Sequence, residues 1–225
     1  MGKFIMRQTD KSKSIESELA VKQIKPDELC LRLANEKDLP RILEIETESF
    51  SSEIVESPET FAERIRHAGN CFYLLCKTPA KGERAEEEKI LAYLSAELWE
   101  ELPPMKDEFF ALGHSAKERH RGEGKVLYIA SFALAKNNRG KKVLRHGKTE
   151  SLASFFFRSA IDTICSDYPK IDTQLLLVHN EWTAAKYIYQ QQGFYEIATF
   201  TRFEGFGKAP ALIYKKDIPQ TSAQN

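Results

Sequence analysis

Apolar positions recur along this chain with two different periods, and each period predicts a different kind of element. Residues 29–33 carry leucine at every second position, which predicts a strand with one buried face. After Asp38 the apolar spacing becomes helical and continues to Phe50. The triplet Ser57-Pro58-Glu59 predicts a second helix, because it supplies an N-cap hydroxyl, a proline that needs no amide hydrogen, and an anion near the helix dipole.

The remaining apolar segments predict more strands and two more helices. The continuous apolar run at 175–178 is typical of a strand that is buried on both faces of a parallel sheet. Gly193 stands where a left-handed C-cap is expected to end the last helix. Further strands are predicted at 71–77, 90–99, 126–134, 195–203 and 209–215, and further helices from Leu152 and from Thr183 to Gln192.

The predicted order of elements is β, α, α, β, β, β, α, β, α, β, β. It indicates an α/β (α+β) fold, with a mixed central sheet of about seven strands and about four helices. The 225 residues suit one domain, which we place at 29–218, followed by a C-terminal tail at 219–225. Residues 1–28 lack a clear period, and we interpret them as a mobile N-terminal extension or a short segment that covers the domain.

Composition excludes several classes of protein. The formal net charge is zero, so the chain as a whole offers no basic footprint for nucleic acid. No apolar run approaches the ~18 residues that span a membrane, and the N-terminus has no apolar core of a secretory signal. The four cysteines form neither a Cys-x-x-Cys pair nor a zinc-like spacing. We therefore expect a cytoplasmic protein without a metal site.

Three local motifs resemble the GNAT superfamily of N-acetyltransferases. The segment from Leu31 to Phe50 is similar to the opening strand and helix of the arylalkylamine N-acetyltransferase branch. Leu98-Trp99-Glu100-Glu101 is similar to the end of the third strand of that branch. The pattern Ala-x-x-x-Tyr-x-x-x-Gly-Phe at 185–194 resembles the last helix of many members. The resemblance implies the GNAT fold and an acetyl-CoA-dependent transfer of an acetyl group to a primary amine by direct attack.

The resemblance also implies where acetyl-CoA binds. Members carry Arg/Gln-x-x-Gly-x-Gly/Ala after the fourth strand, so that amides at a helix N-terminus approach the pyrophosphate. Here Lys142 and Leu144 stand at the two later glycine positions, and we interpret the difference as an insertion that splits the loop into two fragments. A merely basic surface loop is the alternative. The cofactor-binding residues predicted in this way are Phe132, Ala133 and Leu134 on the strand, Arg139, Gly140, Lys141, Gly147, Lys148 and Thr149 in the loop, and Asn180.

Tyr189 occupies the position of the family's general acid, where a phenol protonates the departing thiolate. By spacing alone, a core tyrosine is the simpler reading. The two histidines that the arylalkylamine branch uses as a base are replaced by Tyr128 and Ala130. We therefore expect Glu97 to act as the base, directly or through water, although an exposed carboxylate at the end of a strand is an equal alternative.

The sequence offers further candidate residues. Ser131 or His179 could take part in a water relay. His114 and His120 fall in the long segment 101–124, where a solvated histidine is the simpler expectation. The resemblance implies that Phe50 and Tyr128 line the acceptor pocket, although Phe50 could equally belong to the core.

Two functions stay open at this point. The first is an N-acetyltransferase whose acceptor is the amine of a small molecule or a peptide, with acetyl-CoA as co-substrate. The second is a catalytically degenerate GNAT module that binds acyl-CoA or a protein partner. A homodimer is possible for either. The altered glycine loop and the missing histidines favour the second function, and Tyr189 favours the first.

Overall fold

A computed structural model describes residues 23–78, 88–145 and 147–219. The strands are β1 Gln23–Ile24, β2 Leu29–Leu33, β3 Phe72–Lys77, β4 Lys89–Trp99, β5 Val126–Leu134, β6 Lys142–Arg145, β7 Lys148–Ser151, β8 Thr173–His179, β9 Tyr195–Phe200 and β10 Ala211–Asp217. The α-helices are α1 Leu39–Ser49, α2 Pro58–His67, α3 Ala116–Arg119, α4 Leu152–Asp167 and α5 Thr183–Gln191. Short 3₁₀ turns lie at Pro26–Glu28, Glu36–Asp38, Gly69–Cys71, Asp107–Phe110 and Lys136–Asn138.

The main sheet has seven strands in the order β2-β3-β4-β5-β8-β10-β9. Neighbouring strands are antiparallel except β5 and β8, which are parallel and are joined through α4. The predicted α/β fold class and the mixed seven-stranded sheet are thus confirmed. The short helix α3 and the strands β1, β6 and β7 were not predicted.

Helices cover both faces of the main sheet. Strand β3 is packed on both faces. Phe72 and Leu74 pack with α1 and α2, and Tyr73 and Leu75 pack with α4. Successive side chains of a strand point to opposite faces, so both faces of β3 need apolar residues. Gly193 has a φ of 88°, which confirms the left-handed residue predicted after α5.

Strands β5 and β8 separate halfway along their length. Their pairing runs from Val126↔Thr173 to Ile129↔Leu176 and goes no further. Beyond Ile129, β5 remains paired with β4 through a bulge at Ala130, while β8 continues along β10 to His179. Past this point no strand among the described residues pairs with the edge of β5 that faces β8, and a cleft opens between the two strands.

A second sheet stands beside the main one, in the order β1-β6-β7. Strands β6 and β7 form a hairpin that places Lys142 opposite Ser151, and β1 joins β6 in parallel. Residues 23–28, which the sequence assigned to the N-terminal extension, thus form β1 and a 3₁₀ turn. The rest of that extension and the end of the predicted C-terminal tail lie outside the described residues.

Candidate active site

A cavity of about 60 Å³ lies at the point where β5 and β8 separate. It is mainly apolar and aromatic, and the side chains that line it carry two carboxylates, three hydroxyls and one indole N–H. The lining residues are Glu46, Phe50, Ile54, Glu56, Phe110, Leu112, Tyr128, Ile129, Ala130, Ser131, Phe132, Leu176, Leu177, Trp182, Tyr189 and Phe206.

Glu46 is a buried carboxylate on the apolar face of α1. It follows Ile42 and Ile45, both fully buried, and is itself 1% exposed. One carboxylate oxygen accepts the Glu56 amide at 3.2 Å, and the other accepts the Tyr93 hydroxyl. Burial outweighs both hydrogen bonds and raises the pKa of Glu46 to about 7. A carboxyl with such a pKa can take up and release a proton near neutral pH.

Tyr93 connects Glu46 to the cavity. Burial raises the pKa of Tyr93 well above its ordinary value, so its hydroxyl keeps its single hydrogen. That hydrogen goes to Glu46, and Ser131 Oγ lies 2.9 Å from the Tyr93 oxygen. When Glu46 is ionised, Ser131 must therefore donate to Tyr93, since the phenol has no second hydrogen to give. Ser131 lines the cavity, so a hydrogen-bonded chain leads from the cavity to Glu46.

A cluster of buried ionisable side chains lies next to Glu46. The two terminal nitrogens of Arg64 donate to both oxygens of Glu56, and Arg64 Nε lies 3.4 Å from Glu97. His114 Nε2 lies 3.1 Å from each Glu97 oxygen, and its Nδ1 lies 3.0 Å from the Ala111 carbonyl. Both imidazole nitrogens thus lie beside hydrogen-bond acceptors.

This geometry corrects the prediction that Glu97 is the base. Glu97 is fully buried and does not line the cavity. The His114 imidazole, the Arg64 guanidinium and the Trp99 indole N–H hold its pKa below the ordinary value despite its burial. A carboxylate stabilised in this way is a poor proton acceptor. His114 is not solvated as expected, because its side chain is 7% exposed and bonded to Glu97.

Tyr189 faces the cavity from α5, as its place in the motif predicts. Its ring packs against Phe157 at 5.2 Å and Phe194 at 6.1 Å, measured between ring centroids. Burial raises the pKa of Tyr189 above its ordinary value, so the hydroxyl remains protonated at neutral pH. Among the described residues its hydroxyl has no hydrogen-bond partner, and this leaves it free to donate to a group in the cavity.

The two predicted acceptor-pocket residues both line this cavity. Phe50 follows α1 and packs on Trp182 at 5.3 Å between ring centroids. Tyr128 lies on β5 and stacks on Trp99 at 4.1 Å. Tyr128 is almost wholly buried.

On the opposite side of the cleft, β5 presents the predicted cofactor-binding strand. Phe132 lines the cavity, and Ala133 and Leu134 continue along the edge that β8 leaves unpaired. The Arg139 side chain donates to the Leu134 carbonyl and to Ser49 Oγ, so it braces the end of β5 against α1.

The loop after β5 differs from the prediction. Gly140, with a φ of 74°, and Lys141 lead directly to α4, because the Leu152 amide donates to the Lys141 carbonyl at 2.9 Å. Ser151 caps the helix by accepting the Ser154 amide. The Ala153 amide has no partner in the described part of the chain. The described residues between Lys141 and α4 form the β6–β7 hairpin, whose buried Val143 packs in the same cluster as Leu152 and Phe156 of α4.

Gly147, Lys148 and Thr149 therefore do not lie at the start of α4, where the split-loop interpretation placed them. Gly147 lies in the turn of the hairpin with a φ of 73°, and Lys148 and Thr149 pair with β6. The glycine and lysine composition suggested an irregular loop here, but pairing with β6 makes these residues a strand. Asn180, which the sequence placed among the cofactor-binding residues, is bonded within the chain. Its side-chain oxygen accepts a hydrogen bond from the Lys186 ammonium at 2.9 Å.

The sequence analysis missed Glu46 as a candidate base and Arg64 as the centre of a buried cluster. One signal was available, since both are charged residues on the apolar face of an amphipathic helix. A charge at such a position is rarely buried without a partner or a function. The described residues contain no group of three or more potential ligands placed to hold a metal ion. None of the described helices is both long and apolar enough to cross a membrane.

A scan of protein-family models and a search of curated protein sequences each found no match. Solved structures do match. The ribosomal-protein-S18-alanine N-acetyltransferase from Escherichia coli is 16% identical, with a TM-score of 0.57, and the match covers 88% of this chain and 98% of that chain. The loading GNATL domain of CurA from Lyngbya majuscula is 10% identical, with a TM-score of 0.63, over 84% of this chain and 97% of that chain.

A third match is Arabidopsis thaliana Naa50, solved in complex with the bisubstrate analogue CoA-Ac-MVNAL. It is 15% identical, with a TM-score of 0.58, and the match covers 85% of this chain and 99% of that chain. At these identities the likeness is one of fold. The chain has the GNAT fold of acetyltransferases, as the resemblance predicted, and the narrower likeness to the arylalkylamine branch stays a prediction.

Proposed function

We propose that this chain transfers an acetyl group from acetyl-CoA to a primary amine by direct attack. The observation that carries the proposal is that Glu46, a carboxyl with a pKa of about 7, and Tyr189, a protonated phenol, line one cavity. Amide formation from an ammonium ion and a thioester needs a base at the nitrogen and an acid at the sulfur. The cavity supplies one of each.

Glu46 acts as the base of this reaction. The ammonium loses one proton along Ser131 and Tyr93 to Glu46, which releases it to solvent in a later step. The free amine then attacks the thioester carbonyl, and the new carbon–nitrogen bond forms. As the tetrahedral species collapses, the carbon–sulfur bond breaks and Tyr189 gives its proton to the leaving sulfur. The proton that the nitrogen sheds on becoming an amide restores the phenol.

The described residues fit the acyl donor at two places. The unpaired edge of β5 after Ile129 offers backbone groups to the amides of a pantetheine arm, in the way that an added strand pairs with a sheet. The start of α4 offers the free Ala153 amide and the helix dipole to phosphate. Lys142 and Lys148 of the hairpin are exposed, and we propose that they add positive charge near this end of the cleft.

The first experiment is a calorimetric titration of the whole chain with acetyl-CoA, with CoA as a second ligand and buffer as the control. We expect micromolar binding, which corresponds to about 8 kcal/mol. Thiol release is then measured with a mixed panel of primary amines. Glu46→Gln is the test variant, and Glu44→Gln, an exposed position on the same helix, is its control. No binding at millimolar acetyl-CoA would refute the proposal.

A binding or interaction module without activity is the second candidate. The β6–β7 hairpin favours it, because it stands in place of a continuous glycine loop and because two of the first three amides of α4 are already bonded within the chain. This candidate predicts that acetyl-CoA binds but that no amine of the panel accelerates thiol release.

A further inference from the structure

We infer that Arg64 and Glu56 are positioning residues for the proposed base. Arg64 holds the side chain of Glu56, and Glu56 in turn holds the Glu46 carboxylate through its backbone amide. The inference rests on the proposed acetyl transfer and adds to it two residues that the sequence motifs do not include. It is carried by a continuous series of contacts from α2 to Glu46.

The Glu46 carboxylate is held at both of its oxygens. One oxygen accepts the backbone N–H of Glu56 at 3.2 Å, and the other accepts the Tyr93 hydroxyl. A backbone amide cannot follow the carboxylate when that side chain turns, so the place of the Glu56 peptide fixes the plane of the Glu46 carboxylate. The second oxygen is thereby kept against Tyr93, where the proton arrives from Ser131.

The backbone at Glu56 lies outside any helix or strand, between α1 and α2. It therefore has no ladder of backbone hydrogen bonds to fix it, and the Glu56 side chain takes that role. The carboxylate accepts hydrogen bonds from both terminal nitrogens of Arg64, one of them at 2.7 Å, and from the Gly113 amide at 2.8 Å. A charge-assisted pair with two parallel bonds fixes orientation as well as distance. The buried side chain of Glu56 thus anchors the peptide that meets Glu46.

Arg64 is a cation with almost no contact with water. Its side chain is 1% exposed, and its guanidinium lies over the Phe61 ring, 5.9 Å from the ring centroid. Removing a guanidinium from water is costly, and well-packed apolar side chains often replace a buried ion pair without loss of stability. Stability alone therefore gives no reason for an ion pair here, whereas a fixed orientation beside the base does.

The same residues set the electrostatic surroundings of Glu46. The ionisable groups that act on it come from three elements, namely Tyr93 of β4, Arg64 of α2 and Glu56 of the segment between the two helices. Burial raises the pKa of Glu46, the hydrogen bonds from Tyr93 and from the Glu56 amide lower it, and of the two neighbouring charges Glu56 raises it and Arg64 lowers it. Loss of the Glu56 charge should therefore lower the pKa of Glu46, whereas another cation in place of Arg64 should leave it near 7.

The first test compares two variants that disturb the same cluster. Arg64→Lys keeps the positive charge but replaces two parallel bonds with a single ammonium, so Glu56 is no longer held in one orientation. Glu97→Gln removes the other carboxylate beside Arg64 but leaves the pair with Glu56 in place. We expect kcat to fall by about 10- to 100-fold in Arg64→Lys, as misplacement of a catalytic group does, and to stay within about threefold of the wild type in Glu97→Gln. Equal losses of kcat at equal losses of stability in urea would show that the cluster supports the fold alone, which would overturn the inference.

The second test follows the titration of Glu46 by NMR in the absence of substrate. Glutamate is isotopically labelled at the carboxyl carbon, and the resonance that disappears in Glu46→Gln identifies Glu46. We expect the midpoint of this titration to move to lower pH in Glu56→Gln, together with the rise in the pH profile of kcat, and to keep its wild-type position in Arg64→Lys. An unchanged midpoint with an unchanged kcat in Glu56→Gln would contradict the role of Glu56.

Glu56→Gln also decides the question if Arg64→Lys fails to fold in a thermal melt. It keeps Arg64 and one acceptor oxygen, so it loosens the pair without emptying either position in the core. A wild-type chain that binds no acetyl-CoA would refute the proposed function, whereas the titration would still show whether Glu56 acts on Glu46. Acetyl transfer that needs Glu46 but keeps its full kcat in both Arg64→Lys and Glu56→Gln would refute this inference and leave the proposed function in place.

Discussion

Replacing Glu46 with glutamine tests the proposed base while keeping the shape of the side chain. The glutamine oxygen can still accept the Glu56 amide. Its NH₂ group can donate to the Tyr93 oxygen if the phenol turns its hydrogen toward Ser131, which lies 2.9 Å away. The buried hydrogen-bond network therefore remains satisfied, and the variant removes the charge alone.

The size of the effect on stability follows from the pKa of Glu46. Folding raises this pKa from an ordinary 4.5 to about 7. At about 1.4 kcal/mol per pH unit, a difference of about 2.5 units means that ionising the folded carboxyl costs about 3 kcal/mol more than ionising the unfolded one. The folded state binds the proton more tightly, so this stability is fully present below pH 4.5 and is lost as the pH rises through 7.

Two assays follow from this reasoning. Denaturant unfolding at pH 5 and pH 8 should show that the wild type loses more free energy of unfolding than Glu46→Gln over this interval, by up to about 3 kcal/mol. The value of kcat should fall by about 10²–10⁴ in the variant, in the range that a general base contributes. In a pH profile of kcat, the rise near pH 7 should disappear. Glu44→Gln is the control and should change neither assay.

A Glu46→Gln variant that kept its kcat within threefold of the wild type and still showed the rise near pH 7 would refute the assignment of the base. Loss of activity with an unchanged pH dependence of stability would have a different meaning. It would show that Glu46 matters for the reaction but titrates at its ordinary pKa, so burial would not be what tunes it.

Three further predictions concern the groups around Glu46. Tyr93→Phe interrupts the proton path from Ser131 to Glu46, so kcat should fall. It also removes a hydrogen bond that lowers the pKa of Glu46, so the rise that remains in the pH profile of kcat should move to higher pH. Tyr189→Phe should lower kcat by about 10²–10⁴, the contribution of general acid catalysis, and should leave the calorimetric affinity for acetyl-CoA within about twofold. Glu97→Gln should destabilise the fold by about 3 kcal/mol in urea, because it removes a charge partner of buried Arg64, yet it should keep the rise near pH 7.

The acyl donor side of the cleft shows how far the sequence motif could be followed. The resemblance placed the cofactor loop after β5, and the structure places the unpaired edge of β5 and the start of α4 there. The motif could not locate the insertion, because the glycines and lysines of residues 139–148 are compatible with a loop and with a hairpin. Pairing of β6 with both β7 and β1 decides for the hairpin, and β1 comes from a distant part of the chain.

The sequence was equally unable to identify the catalytic base. The position of Glu97 at the end of a predicted strand was consistent with exposure, and nothing local indicated that Arg64 and His114 would meet it. These residues come from α2 and from the segment between β4 and β5, and they meet only when the sheet and its helices assemble. A pKa depends on burial and on neighbouring charges, so it cannot be assigned before those neighbours are known.

The sequence by itself determined the order of the seven main-sheet strands and of the four longer helices, because apolar periodicity and helix caps act over a few residues. It also determined that Tyr189 lies on the last helix, because the motif that contains Tyr189 spans only that helix and its end. Only the tertiary structure decided that β5 and β8 separate, that Glu46 rather than Glu97 faces the cavity, and that Arg64 and His114 meet Glu97. Each of these features joins residues far apart in the chain, and their contacts arise from packing that no local pattern encodes.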